Sequence, residues 1–586
     1  MNVSFKKSAI AIACSVLILQ AQAIEVVPPS ADTFNAAGML NQYKQSLDSL
    51  ISTAPLNDGA ANYQEFNGFD FEGLTPTQKS RAQSLVAPYV GKKIIIGKLI
   101  NELERNFQDQ GDPFVFVLTE TKALPVLTAS KVNYGKAEIN NASNLNSSLL
   151  QGILDFGVKD GAPVDRPQLE RNTSVLNEVP GVINQFGMRP GAKQGDTDLV
   201  ANVNTGPWYN GSVTVDNSGT KSLGVVTGKG DFSLNNLFGF GDIIRLFGLG
   251  SSNSNMEGVD VSAIVHPSGL RAGASASRFA YGYNTLAQTT TFDTLGNPAW
   301  LNNINTRYTG TSDDIGAYLS YPLTRSEYSR QSITLNYDHV TNVSNAFIAQ
   351  DSTSAINGST QSKSANFNLS NTTVDKVALG TFGVTSIPFQ IVSSYQASVT
   401  GGNAVQNLAD VSAIDAASAK QMGTFLKLTG SGLLSRNINI ADSDFTLTGS
   451  GSLQLANKNL PSSEKAYLGG MTQMQAWAPQ VLATDQMAYA QIKFEKQIIP
   501  NVSAGVFVEG SYSQQNTNAY QTSFGTIATG NNFMSDAGLS LSYQSSQNIS
   551  LNASVASKLS GNPKVNGIPI QDNSNVRGWV GATIRF

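Results

Sequence analysis

The sequence predicts a transmembrane β-barrel of about sixteen antiparallel strands, preceded by two small α+β domains and an N-terminal helix. Three observations carry that class. After Pro207, segments of about ten residues alternate apolar and polar side chains between turn residues, as in a wall with lipid on one face. Charged residues make up only 14 % of the chain, and the chain opens with a secretory leader. The last twelve residues, "NVRGWVGATIRF", alternate to the very end. Val580, Ala582, Ile584 and Phe586 are apolar, and Gly581, Thr583 and Arg585 between them are small or polar.

The leader spans 1–23: Lys6 and Lys7, an apolar stretch, then Ala21-Gln22-Ala23 as a small-residue cleavage site. Cys14 as a lipid-attachment cysteine is the alternative, but the apolar run before it is very short. Cleavage after Ala23 leaves no cysteine, which excludes disulfides and thiol chemistry. Beyond the leader no apolar run approaches about 18 residues, so a membrane span must be made of strands.

Residues 24–61 read as a helix and a linker. Phe34, Leu40, Tyr43, Leu47, Leu50 and Ile51 share one face of a helix over 32–51, and "STAPLNDGAANYQ" follows with Gly, Asn and Asp. Residues 62–135 then run strand, helix, helix, strand, strand: "NYQEFNGFDF", a helix from Thr75-Pro76 to near Gly91, a second ending at Gly111, then "PFVFVLTET" and "PVLTASKVNYG". Residues 136–206 repeat the order with "GKAEINNAS", "SSLLQGILDFG", "RPQLERNTSVLNEVPGV", "VINQFGMRPG" and "TDLVANVNT".

The barrel occupies 207–586, and helical periodicity almost vanishes there. In "VSAGVFVEGSYS", Val502, Ala504, Val506 and Val508 face one way and Ser503, Phe507, Glu509 and Ser511 the other. If the two N-terminal domains lie in the periplasm, links after odd-numbered strands face outward. The longest gaps, 285–311 and 458–485, fall there.

The composition also excludes functions. A net charge of -4 gives no reason to expect nucleic acid. "GKGD", "GLGSS" and "GSGS" lack the strand–loop–helix context and Lys-Ser/Thr ending of a nucleotide loop. The two histidines, His266 and His339, lie in predicted strands and form neither a metal pair nor a triad, so no catalytic residue, metal or cofactor is expected.

Several local strings, in order along the whole mature chain, resemble the outer-membrane transporters of two-partner secretion, the hemolysin secretion/activation family. They are "LLQGILDFG…LERNTSVLNEVPGV" and "RPGAKQGDTDLV" in the second domain, with Pro180, Gly181, Gly191 and Gly195. At the barrel entrance "VDNSGTKSLG" is similar to an Asp-Asn-x-Gly turn through Asp216, Asn217 and Gly219, and "LNNLFGFGD" to the stretch joining the second and third strands. The resemblance implies a plug helix over 32–51, two polypeptide-transport-associated (POTRA) domains and a sixteen-stranded barrel. An ordinary helix packed on the first domain is the alternative reading of 32–51.

The resemblance further implies that the sixth surface loop folds into the pore, carrying a Val-Arg-Gly-Tyr motif whose arginine pairs with an aspartate on strand thirteen. Leu468, Gly469, Gly470 and Asp485 stand where expected. The motif positions, however, are Met474, Gln475, Ala476 and Trp477, and the strand-thirteen partner is Glu509. Gln has neither the charge nor the fork of Arg. Lys493 is the candidate replacement partner for Glu509, or else an ordinary solvated lumen charge. "VRGW" at 576–579 imitates the motif within the last strand and is read as coincidence. Met471, Met474 and Trp477 either constrict the pore or pack on the barrel wall.

Implied partners are a large secreted TpsA-like exoprotein, unfolded in the periplasm and captured by strand addition on the POTRA sheets, outer-membrane lipid, and the barrel-assembly machinery during insertion, which would read the terminal Phe586. A barrel insertase of the wider superfamily and a passive porin remain the alternatives.

Overall fold

A computed structural model describes residues 64–586, except 109–113, 121–123, 131–132, 193–195, 293–297, 327–328, 351–362, 387–390, 408, 441–442, 523–524, 546–547, 571 and 573. The leader, the helix expected over 32–51 and Gly195 lie outside the described residues.

Two α/β units come first, and they share one topology. In the first, strand Asp70–Glu72 runs parallel to Val126–Ser130, which pairs antiparallel with Val115–Glu120. Helices α1 (Pro76–Val86) and α2 (Ile96–Gln108) cross over. Thr75 begins α1 as the sequence requires: its hydroxyl accepts from Gln78 N, Gln78 Oε1 accepts from Thr75 N, and Pro76 sits where no N–H is needed. The core is built on phenylalanines, with Phe71, Phe107 and Phe116 in edge-to-face contact. "NYQEFNGFDF" makes two short strands, Gln64–Glu65 and Asp70–Glu72, rather than one, because the backbone turns at Gly68, whose φ is +115°.

In the second unit, Asn133–Ala142 runs parallel to Asp196–Thr205, which pairs antiparallel with Val182–Pro190. Helix α3 (Ser147–Asp155) is capped by Asn146, and α4 (Arg166–Asn177) by Asp165. Strand Asn133–Ala142 crosses the expected boundary at 135/136, so the second unit starts earlier than its glycine suggested.

From Tyr209 the chain forms a closed antiparallel barrel of sixteen strands. They are β1 (Tyr209–Asp216), β2 (Thr227–Asn235), β3 (Ile243–Gly250), β4 (Ser254–His266), β5 (Leu270–Phe292), β6 (Pro298–Arg325), β7 (Ser329–Gln350) and β8 (Lys363–Ser386). They continue as β9 (Ile391–Gln406), β10 (Gly423–Ile440), β11 (Ser443–Ala456), β12 (Gln486–Ile499), β13 (Val502–Gln514), β14 (Asn531–Ser545), β15 (Ile549–Gly561) and β16 (Val576–Arg585). Each pairs with its neighbour in sequence, and β16 closes on β1. Closure leaves the wall no unpaired edge in lipid. The two faces separate as the alternation demands: Val506 is 51 % exposed and Val580 57 %, whereas Glu509 is 2 % exposed and Trp579 4 %.

The expected outer loop at 285–311 is instead strand. β5 and β6 stay paired from Arg271↔Ser320 out to Phe292↔Pro298, and β7 and β8 pair from Ser329↔Ser386 to Gln350↔Lys363, each with local register shifts. Thr, Asn and Gln are frequent over 285–311, and their polarity suggested loop. A short helix, α5 (Ala409–Ala417), lies between β9 and β10, where no helix was expected. The 458–485 gap is a true loop, with a small hairpin pairing Ala466–Leu468 to Leu482–Thr484.

The second unit is joined firmly to the barrel at the turns after even-numbered strands. Ile264 of β4 belongs to the unit's own core. Arg171 of α4 donates to the carbonyls of Ser268 (2.8 Å) and Pro322 (3.2 Å), and Glu178 pairs with Arg325 at 2.8 Å. The β2–β3 turn in "LNNLFGFGD" forms the socket: Asp242 accepts from Leu237 N and Phe238 N, and Gly239 O accepts from Asn146 N. Gly181 (φ +74°) presses on Asn235, and Pro180-Gly181 links to the barrel lead-in through Gly206 N to Gly181 O at 2.9 Å. Gly191 N donates to Asp196 O at 2.8 Å.

Candidate functional site: the loop folded into the barrel

The loop between β11 and β12 turns inward and packs on the inner wall of β12–β15. Leu468, Met474, Ala476, Trp477 and Leu482 form one buried cluster with Tyr489, Phe507, Met534 and Ala556. Met474 and Trp477 therefore pack on the wall. Gly469 and Gly470 open the excursion with φ of +97° and +118°; a Cβ on Gly469 would collide with the Ala478 carbonyl.

Gln475 stands at the tip, where the family motif has arginine, and the structure surrounds it with partners. Its side-chain amide donates to Glu509 Oε1 at 2.9 Å, and its backbone N–H donates to Glu509 Oε2 at 3.3 Å. Its side-chain carbonyl accepts from Ser554 Oγ at 2.7 Å, and its main-chain carbonyl from Trp579 Nε1 at 2.8 Å. Gln thus replaces the charged fork with a neutral one that also accepts, which Arg cannot do. Ala476 N donates to Asp536 of β14 at 3.2 Å. Asp536 lies directly across the ladder from Glu509.

Lys493 is not the partner of Glu509. The register sets Gln491 opposite Glu509, and Gln491 Nε2 donates to Glu509 Oε1 at 2.9 Å. Lys493 lies opposite Phe507, two residues along, and pairs with Glu495 on its own strand at 2.6 Å. The string "VRGW" also touches the loop. Arg577 pairs with Asp572 at 2.6 Å, Asp572 accepts from Ala478 N at 3.3 Å, and Trp579 holds Gln475 as above. Arg577 is no displaced loop arginine, since its carboxylate is Asp572 rather than Glu509; Lys558 shares that carboxylate at 3.0 Å.

Asp485 anchors the returning base of the loop. Fully buried, it pairs with Lys465 at 2.8 Å and accepts from Leu460 N and Thr517 N. Sequence reasoning missed Gln491, Asp536, Ser554, Asp572 and Trp579. The strand register brings Gln491, Asp536, Ser554 and Trp579 to the loop, and Asp572 comes from the segment before β16; no local pattern announces either.

At the barrel entrance, Asp216 pairs with Lys229 at 2.8 Å and accepts from Thr227 Oγ1 at 2.6 Å. Asn217 crosses the seam to the last strand: its Oδ1 accepts from Val580 N at 2.9 Å and its Nδ2 donates to Gly578 O at 3.0 Å. Gly219 turns tightly enough that a Cβ would strike the Gly224 carbonyl. Phe586 closes the same seam, exchanging backbone hydrogen bonds with Gly211, and its ring is 55 % exposed on the lipid side.

A sixteen-stranded barrel with an α/β unit docked on one rim and a surface loop pinned inside has the architecture of an outer-membrane transporter. The profile of the haemolysin secretion/activation protein ShlB/FhaC/HecB family matches residues 195–533, more than half of the chain, and the chain belongs to that family. These are two-partner secretion transporters, which export partner proteins across the outer membrane; they are not enzymes. The chain is 23 % identical over 549 residues to the heme/hemopexin transporter protein HuxB of Haemophilus influenzae strain 86-028NP, covering 91 % of this chain and 88 % of that one. Its fold is similar to CdiB from Escherichia coli and to CdiB from Acinetobacter baumannii. Each has a TM-score of 0.58 at 16 % identity, covering 97 % of this chain and 100 % of the other.

Proposed function

We propose that the two α/β units are POTRA domains in the periplasm, that they capture one large unfolded exoprotein by strand addition, and that the loop pinned by Gln475 must yield as the cargo passes the lumen. The observation that carries this reading is the one-sided anchoring of the loop. Among the described residues its tip is held on one sector of the wall, β11–β16, through Ser452, Glu509, Asp536, Ser554 and Trp579, so it can swing from one wall without breaking the barrel. Strand addition supplies backbone hydrogen bonds without requiring one sequence, which suits a long and varied cargo. No nucleotide loop was found in the sequence, so folding of the cargo outside the cell supplies the driving force. Deleting the gene and blotting the medium tests this. A large protein should vanish from the medium and return with the wild-type gene; unchanged secreted protein contradicts the proposal.

A further inference from the structure

On the lipid-facing wall, outward residues in register form a row across six neighbouring strands: Phe445, Lys496, Ala504, Leu541, Ala553 and Val580. The row changes size abruptly. Phe445 stacks on Phe494 at 4.7 Å on one side, while Ala504, Ala553 and the adjoining Gly578 leave a floor with little side chain. The result is an apolar trough of about 590 Å³ in the outer surface of the wall, within the size range of ligand pockets.

Lys496 stands at the mouth of the trough, three residues before the end of β12. That end lies on the rim where the second unit docks, because β12 ends, like β2, β4 and β6, in a turn after an even-numbered strand. The ammonium is held in place: it donates to Ser443 Oγ at 3.0 Å and lies 5.1 Å from the centre of the Phe445 ring. Glu495, its neighbour in sequence, faces the lumen and pairs with Lys493. Among the described ion pairs none neutralises Lys496.

We propose that this trough holds one anionic phospholipid of the inner leaflet, an acyl chain lying along Ala504, Ala553 and Gly578 and the phosphate on Lys496. A fixed cation at interface depth beside an apolar cleft matches both halves of such a lipid. The leaflet assignment rests on the proposal that the docked rim faces the periplasm; the binding itself does not. A Cβ on Gly578 would meet only the Ser554 carbonyl, at 3.8 Å, so a side chain can be added there to fill the trough without strain.

Native mass spectrometry of the full mature chain, released from detergent containing equal phosphatidylglycerol and phosphatidylethanolamine, tests the assignment. A heat-shifted gel band verifies that each variant is folded. One phosphatidylglycerol per barrel should be retained, in about tenfold preference. Lys496→Gln should abolish the preference but keep a lipid, and Gly578→Leu should reduce retention of both lipids. Equal retention of the two by wild type, or Lys496→Gln keeping the preference, overturns the proposal. Because retention is read without any cargo, failure here leaves the secretion proposal standing, and the reverse holds too.

Discussion

Glu509 and Asp536 face one another across β13 and β14, 2 % and 0 % exposed, and the loop tip supplies them with amides rather than a guanidinium. Removing an acceptor from buried amides costs about 1–3 kcal/mol for each group left unpaired. Glu509→Ala therefore orphans the side chains of Gln475 and Gln491, and trypsin should cut faster after Lys465 within the loop. Glu509→Gln keeps an acceptor oxygen and should stay closer to wild type. Gln475→Arg restores charge-assisted bonds, roughly twice as strong as neutral ones, and should slow that cleavage below the wild-type rate even though Ser554 loses its acceptor. Equal rates in all four proteins would show that the pairing does not hold the loop. Asp572 adds a pH signature. Burial pushes its carboxyl up, but Lys558 and Arg577 outweigh burial and hold it below the ordinary carboxylate range. A depressed folded pKa gives stabilisation that is complete above the unfolded value of about 3.9 and is lost as pH falls through the folded value. Asp572 accepts from the Ala478 N–H, and the difference in exchange at that amide between wild type and Asp572→Asn should stay constant from about pH 8 to 5 and close only below about pH 4.

The seam between β1 and β16 is the shortest joint in the wall, with five register pairs where β1 and β2 have eight. Asn217 and Phe586 lengthen it at opposite ends. Asn217→Ala removes two hydrogen bonds, about 1 kcal/mol net for each. It should lower the temperature at which the folded band disappears on a heated gel by more than Asn210→Ala, which removes only the single bond that Asn235 of β2 donates to Asn210. Arg171→Ala should speed hydrogen exchange in α4 and leave the barrel strands unchanged, because Arg171 ties α4 to two barrel turns. Much of this was legible in the sequence. Alternation located the strands because water and lipid select opposite side chains on successive residues, and Thr75-Pro76 marked the start of α1 by its capping chemistry. What was not legible depends on register. Two residues of offset decide between Lys493 and Gln491 as the partner of Glu509, and local sequence carries no such information. The outer stretches of β5–β7 were missed for a related reason: their Thr-, Asn- and Gln-containing sequence lacks the alternation that identifies strands.

As a whole, the molecule joins a docked α/β unit beneath strands β2–β7 to a loop held on β11–β16, so its module-side anchor and its internal lock occupy different sectors of the wall. That division leaves the lumen face of β13 as the surface a moving chain would meet once the loop swings aside. A photo-reactive amino acid at Ser503, on the lumen face, tests this most directly when compared with one at Val506 on the lipid face. Illumination of secreting cells should give an adduct with the exported protein at Ser503 and none at Val506. Adducts at neither position, or at both equally, would contradict passage of the cargo through this barrel.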